Sequence, residues 1–141
     1  MIMQERLDVS LALSIRELGD ADLPEIAALV GVTKPDPYAA ESHRLGRFVG
    51  LREAGVFVAM AGERLKPEGF TEIANICTRP ECRRRGYASV VARGIAIEIQ
   101  ARRETPFLHV TASNRATVAL YKSLGFVTRR LMMLTQLALT W

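Results

Sequence analysis

The stretch from Phe70 to Arg103 constrains the fold more than any other part of this chain. Phe70–Arg79 is rich in β-formers around Ile73, Ile76 and Thr78, and Pro80-Glu81-Cys82 breaks it. From Arg85 to Arg103 the period becomes helical, with Ala88, Val91, Ala92, Ile95 and Ile99 recurring at steps of three and four. Between the two lies Arg83-Arg84-Arg85-Gly86-Tyr87-Ala88. A helix start leaves about four backbone N–H groups without partners and carries partial positive charge, so a phosphate placed there satisfies both. Gly86, lacking a Cβ, lets the backbone approach closely, and Ala88 is small. The three arginines add full charges in a geometry suited to phosphate oxygens. The loop is neither a Walker loop (G-x-x-x-x-G-K-S/T) nor a Rossmann fingerprint (G-x-G-x-x-G). By itself it reads equally as a generic anion site or as an ordinary strand-to-helix turn with exposed arginines.

The flanking chain extends this pattern. Leu11–Leu18 reads as a first strand. Asp20 or Asp22 caps a helix with Pro24 in its first turn, Leu23, Ile26, Ala27 and Val30 on its apolar stripe and Gly31 as its stop. A short helix is expected over Tyr38–Arg44. Strands are expected at Arg47–Arg52 and Val56–Ala61, joined by a turn at Glu53-Ala54-Gly55. Pro106 ends the central helix, and Phe107–Thr111 reads as the next strand. Asn114 caps a last helix, with Ala116, Ala119, Leu120 and Leu124 expected inside and Gly125 as its stop. Phe126–Leu139 reads as a long apolar β segment. A meander of strands followed by β-α-β means a mixed α/β sheet with helices packed on it.

The 141 residues fit a single domain spanning 1–141. The polar start is unlike a secretory signal, and no apolar run approaches the roughly 18–20 residues of a membrane span. Cys77 and Cys82 have no His or Cys partner at metal-ligand spacing, so no metal and a reduced, cytoplasmic setting are expected. Residues 1–78 hold 8 Lys/Arg against 12 Asp/Glu, and residues 79–141 hold 11 against 3. That basic second half points to an anionic partner, or else to a solvated basic face.

Arg83-x-x-Gly86-x-Ala88 resembles the signature Q/R-x-x-G-x-G/A of the GNAT acyltransferase superfamily. The run Ile76-Cys77-Thr78-Arg79-Pro80-Glu81-Cys82-Arg83-Arg84-Arg85-Gly86-Tyr87-Ala88 is similar to the family's V-x-T-x-P-x-x-R-G-R-G-Y-A. Asn114-Arg115-Ala116-Thr117-Val118-Ala119-Leu120-Tyr121-Lys122-Ser123-Leu124-Gly125-Phe126 resembles its N-x-x-A-x-x-L-Y-x-x-L-G-F. The resemblance implies a central mixed sheet of six or seven strands flanked by helices. It implies acetyl-CoA as co-substrate, lying between strands that splay apart, here Phe70–Arg79 and Phe107–Thr111. On that pattern the backbone of Ile76, Cys77 and Thr78 pairs with the pantetheine amides. The pyrophosphate rests on the N–H groups from Arg84 to Ala88, and Asn114 contacts the coenzyme. The chain departs from the pattern at Arg84, where the family usually has Gly, and in showing one terminal β segment where many members have two strands. A partner subunit supplying the missing pairing, hence a homodimer, is the expectation that follows.

Acyl transfer to an amine requires the amine to lose a proton, the oxyanion to be stabilised and the leaving thiolate to be protonated. Tyr121 has the chemistry for the last step and matches the acid tyrosine of the resemblance. Glu72 is the candidate base: regular alternation would put Glu72, Ala74, Ile76 and Thr78 on one face of the strand. His109 is the runner-up. Cys77 lacks a His to activate it as a nucleophile, and the backbone N–H beside it is the candidate oxyanion donor. The acidic first half favours a cationic acceptor, a primary amine of a small molecule or peptide, with Asp36, Glu41 and Glu63 as contacts. The competing readings are an acyl-CoA-binding sensor module without activity and a nucleic-acid-binding protein. The latter lacks any recognised motif or aromatic ladder among the arginines.

Overall fold

The computed structural model describes residues 1–3, 15–33 and 44–133. Its elements are β1 (Ile2–Met3), β2 (Arg16–Leu18), α1 (Leu23–Thr33), β3 (Phe48–Glu53), β4 (Val56–Glu63), β5 (Phe70–Thr78), α2 (Tyr87–Ala101), β6 (Thr105–Phe107), α3 (Arg115–Ser123) and β7 (Phe126–Val127). They form a seven-stranded sheet in the order β2-β3-β4-β5-β6-β1-β7. The pairs β2–β3, β3–β4 and β4–β5 are antiparallel and β5–β6 is parallel. The parallel pair needs a crossover, and α2 provides it.

Helices cover both faces. Val91, Ala92, Ile95 and Ile99 of α2 pack with Val49, Val58, Ala59, Ala61 and Ile73, and Tyr121 and Leu124 join the same cluster. On the opposite face Ile26 and Leu29 of α1 meet Phe48, Phe57, Met60 and Cys77. Being covered on both sides, β4 is buried from Phe57 to Glu63 and reads as an apolar run up to Gly62. The β3–β4 turn places Ala54 (φ 51°) and Gly55 (φ 80°) in the left-handed region, the two-residue turn whose twist suits a hairpin.

Several boundaries differ from the sequence reading. β2 begins at Arg16, and residues 11–14 of the expected strand lie outside the described residues. Residues 38–43 of the expected short helix also lie outside them. α1 runs through Gly31 to Thr33, and its buried residues are Ile26 and Leu29, with Ala27 exposed. β6 spans Thr105–Phe107 rather than Phe107–Thr111. Pro106 is tolerated there because, among the described residues, β1 pairs with β6 at Phe107 and not at Pro106, so no ladder bond is asked of its missing N–H on that side. In α3 Ala116 and Ala119 are exposed, while Tyr121 and Leu124 face inward. Among the described residues the terminal strand is regular only over Phe126–Val127, which pair with Met3 and Ile2 of β1. Leu131, Met132 and Met133 are exposed, and 134–139 of the expected segment lie outside the described residues. β1 itself carries no periodicity by which a sequence could announce it. The Met1 amino group donates to Leu108 O at 2.6 Å, and Leu108 N donates to Met1 O at 2.8 Å.

Candidate active site

β5 and β6 pair from Phe70↔Thr105 to Glu72↔Phe107 and no further, although β5 continues to Thr78. The divergence has a local cause in β5. Across β4, Met60 faces Cys77 and Gly62 faces Ala74, so three steps of β5 match two of β4. The extra residue is a bulge, with Asn75 at φ 56°, and a bulge bends and twists its strand. The bulge also switches side-chain faces. Ile73 and Ile76 both pack toward α2, whereas Cys77 faces α1. Glu72, adjacent to Ile73, therefore lies on the opposite face from Ile76, and the regular alternation expected of this strand does not hold.

The strands diverge around a cavity of about 400 Å³. Ile76, Cys77 and Thr78 line one wall. Cys77 and Thr78 pair with β4 on one side, and all three residues lie beyond the pairing with β6 on the other, leaving an open strand edge for an extended ligand. The cavity then reaches the start of α2, where Arg83, Arg84, Gly86, Tyr87, Ala88 and Ser89 line it. Gly86 is the N-cap at φ 81° with no side-chain cap, and the first helical bond is Val90 N to Gly86 O at 3.1 Å. The N–H groups of Tyr87, Ala88 and Ser89 thus have no intrahelical acceptor. A Cβ on Gly86 would meet nothing within 4 Å, so the space before the helix is open. Arg85 is exposed and does not line the cavity.

The facing wall comes from α3. Asn114 Oδ1 accepts Thr117 N at 3.2 Å, capping the helix, and Thr117, Leu120 and Tyr121 line the cavity at helical spacing. Tyr121 is 8% exposed, and its ring meets Phe126 edge-on at 6.0 Å. Burial pushes its hydroxyl up to about 12, so it stays protonated at any physiological pH. Cys77 is also buried. Desolvation raises its thiol, outweighing a Thr33 hydrogen bond and the Arg83 charge, which leaves it a poor nucleophile.

Besides Arg85, the candidates Asn114, Glu72 and His109 stand off the cavity lining. Asn114 serves as the helix cap. Glu72 is 2% exposed, with Oε1 2.6 Å from Arg64 Nη2 and 3.5 Å from His109 Nδ1, while Oε2 has no partner. An acceptor amine cannot reach so buried a carboxylate directly, whereas His109 is 47% exposed in its side chain. Glu63, read as an acceptor contact, is held by Lys66 at 2.8 Å and Arg102 at 2.9 Å. Asp36 and Glu41 lie outside the described residues. Thr33, Ser89 and Thr117 line the cavity without having been singled out as site residues from the sequence, and Leu120, expected in the core, lines it too. Ser89 and Thr117 each lie in the first turn of a helix following a recognised motif, and that position was the available signal. Among the described residues no group of three or more His, Cys, Asp or Glu could hold a metal ion, and no helix is long and apolar enough to cross a membrane.

Residues 48–133 match the family described as FR47-like protein. A comparison with curated proteins finds no match. Among solved structures, one from Novosphingobium aromaticivorans, described as an acetyltransferase from the GNAT family, is 40% identical with a TM-score of 0.81. The similarity covers 91% of this chain and 56% of that one, so this chain spans little more than half of that relative's length. The ribosomal-protein-S18-alanine N-acetyltransferase of Escherichia coli is 25% identical with a TM-score of 0.72, covering 82% of this chain and 78% of that one. AAC(6')-Iy, solved with the bisubstrate analogue CoA-S-monomethyl-acetylneamine, shares the fold at 15% identity and a TM-score of 0.70, covering 88% of this chain and 97% of that one. With its splayed parallel strands, its basic loop at a helix start and these relatives, the chain belongs to the GNAT family of acetyltransferases.

Proposed function

We propose that this chain transfers the acetyl group of acetyl-CoA to a primary amine of a small molecule or peptide, by direct attack within a ternary complex. The observation that carries the reading is the continuity of the cleft. An open strand edge at Ile76–Thr78 leads to the unpaired N–H groups of Tyr87–Ser89, with Arg83 and Arg84 beside them and Tyr121 opposite. Pantetheine amides suit the first part and the diphosphate suits the second. Support comes from the relative described as a GNAT acetyltransferase, from the Escherichia coli ribosomal-protein-S18-alanine N-acetyltransferase, and from the CoA-linked analogue held by the same fold.

In this reading the amine nitrogen attacks the thioester carbon, the N–H beside Cys77 donates to the oxyanion, and the carbon–sulfur bond then breaks. A thiol ordinarily titrates near 8.5, so proton transfer from a phenol at about 12 to a thiolate is uphill by roughly 5 kcal/mol. Tyr121 therefore acts as a hydrogen-bond donor to the departing sulfur, lowering its charge, while solvent completes the proton balance. The proton lost by the amine passes to His109, with Glu72 behind it accepting from Nδ1. Glu72 thus contributes to the base through His109 and does not touch the amine.

Binding and turnover test this separately. Acetyl-CoA at about 100 times its dissociation constant adds about 2.7 kcal/mol to folding stability, a rise of several degrees in Tm for a domain of this size. The absence of any shift at millimolar acetyl-CoA overturns the coenzyme assignment. With binding shown, free-thiol release is measured across polyamines, aminoglycosides and peptides with a free N-terminal alanine. Release dependent on one class identifies the acceptor, and binding without release from any class favours the acyl-CoA-binding module instead.

A further inference from the structure

The cleft is polar at one end and apolar at the other. Arg83, Arg84 and the first-turn N–H groups of α2 surround the first end, and Ile76, Cys77, Leu120 and the ring of Tyr121 wall the second. Among the described residues one side chain of α1 also lines the cavity, that of its last residue, Thr33. The entry to α1 is tied to β3, where Arg52 holds Asp22 at 2.9 Å and Glu25 at 2.7 Å. Its Leu29 packs with Met60 and Cys77, so the final turn arrives at β5 where the strands part. The Thr33 hydroxyl donates to Leu29 O at 2.7 Å, the back-bond that holds a helical threonine in one rotamer. The same hydroxyl is hydrogen-bonded to the buried Cys77 thiol. With both polar groups answered inside the protein, Thr33 and Cys77 offer the cavity a wall that asks for no hydrogen bond from a ligand.

We propose that Thr33, seated on Cys77, limits the length of the acyl chain, so that the cleft takes acetyl and rejects butyryl and longer groups. This inference rests on the coenzyme reading of the cleft. An acyl-CoA carries its phosphates at one end and its acyl group at the other, and the cleft has the same polarity. Phosphates at the start of α2 leave the acyl group at the end walled by Cys77. In that reading the carbonyl oxygen accepts from the N–H beside Cys77, so the carbons beyond it lie against Cys77 and its neighbour Thr33. The remaining apolar lining is less suited to set a limit. Ile76 is directed toward α2, Tyr121 is packed on Phe126, and Leu120, unbranched at Cβ, can change rotamer to make room. Thr33 is branched at Cβ and held by hydrogen bonds on a helix, so each added methylene meets a side chain that cannot turn aside.

Calorimetric titration of acetyl-CoA, propionyl-CoA and butyryl-CoA into the wild-type chain, Thr33→Ala, Thr33→Ser and Thr33→Val tests this. One methylene too many in a fitted apolar pocket is worth about 10–200-fold, so the wild type should bind acetyl-CoA at least about tenfold more tightly than butyryl-CoA, with propionyl-CoA between. Thr33→Ala clears the branch and should bring that ratio to within about threefold by tightening butyryl-CoA. Thr33→Ser removes the methyl alone and keeps the hydroxyl bonds that secure the turn, so it should relax the ratio in the same direction by a smaller factor. Thr33→Val keeps the branched shape without the hydroxyl and should retain the preference for acetyl-CoA. A preference retained in both Thr33→Ala and Thr33→Ser overturns the inference, as does its loss in Thr33→Val, which would show that bulk at this position is not what excludes the chain. Wild-type protein that binds acetyl-CoA and butyryl-CoA equally overturns this inference alone, whereas binding none of the three removes the coenzyme reading with it.

Discussion

The wall made by β5 and the start of α2 consists of a nine-residue strand running into a fifteen-residue helix whose inner face is buried. The facing wall is a three-residue strand, an irregular stretch and the nine-residue α3, of which only Tyr121 is fully buried. The first wall offers backbone: free strand edges, unpaired N–H groups and a left-handed glycine. The second offers a single phenol whose place depends on helix phase. Binding energy is therefore expected to concentrate on the first wall and chemistry on the second. Substitutions on the two should separate affinity from turnover.

The largest effect is expected on the backbone wall. Gly86→Val puts a branched side chain into the open space before α2 and strains the φ of 81°. Acetyl-CoA affinity should fall by at least about 100-fold, more than one lost charge-assisted hydrogen bond. Folding stability should drop by only about 1–2 kcal/mol, the cost of a left-handed non-glycine residue. Calorimetry and thermal melting read the two separately, and unchanged affinity would break the assignment of this wall to the diphosphate.

On the other wall, Tyr121→Phe keeps the ring against Phe126 and removes the donor. Turnover should fall at least about tenfold while acetyl-CoA affinity stays within about twofold. Unchanged kcat, with chemistry shown to be rate-limiting, would return Tyr121 to a packing role. The buried phenol also sets a sign for pH. Its folded value of about 12 lies above the ordinary value near 10, so its contribution to stability is complete below about pH 10 and is lost as pH approaches 12. Denaturant titrations should show wild type losing stability relative to Tyr121→Phe over that window, and no such change below it.

The smallest effect sharpens the comparison at the start of α3. Asn114 was expected to contact the coenzyme, and its side chain caps the helix. Asn114→Ala should cost about 1 kcal/mol of stability, the ordinary worth of a cap. If the cap is its whole role, CoA affinity changes by less than about threefold, and a larger loss would restore a direct coenzyme contact.

The amino-acid sequence by itself determined the parts whose physics is local. Gly86 before a helical period, Pro80 after a β run, Asn114 before an amphipathic stretch and Ala54-Gly55 between two strands each specify backbone shape within a few residues. The strand–loop–helix and the α3 motif were legible for that reason, and the family with them. Tertiary structure decided what depends on partners distant in the chain. The bulge at Asn75 answers to the register with β4, and it moved Glu72 to the face away from Ile76. β1 exists because Met1 meets Leu108, 107 positions away. Arg64, eight residues before Glu72, occupies the carboxylate that strand alternation alone offered as a base. Thr33 reaches the cavity because α1 packs across Cys77. Periodicity reports which side of an element faces inward, but it carries no information about what a folded chain places opposite.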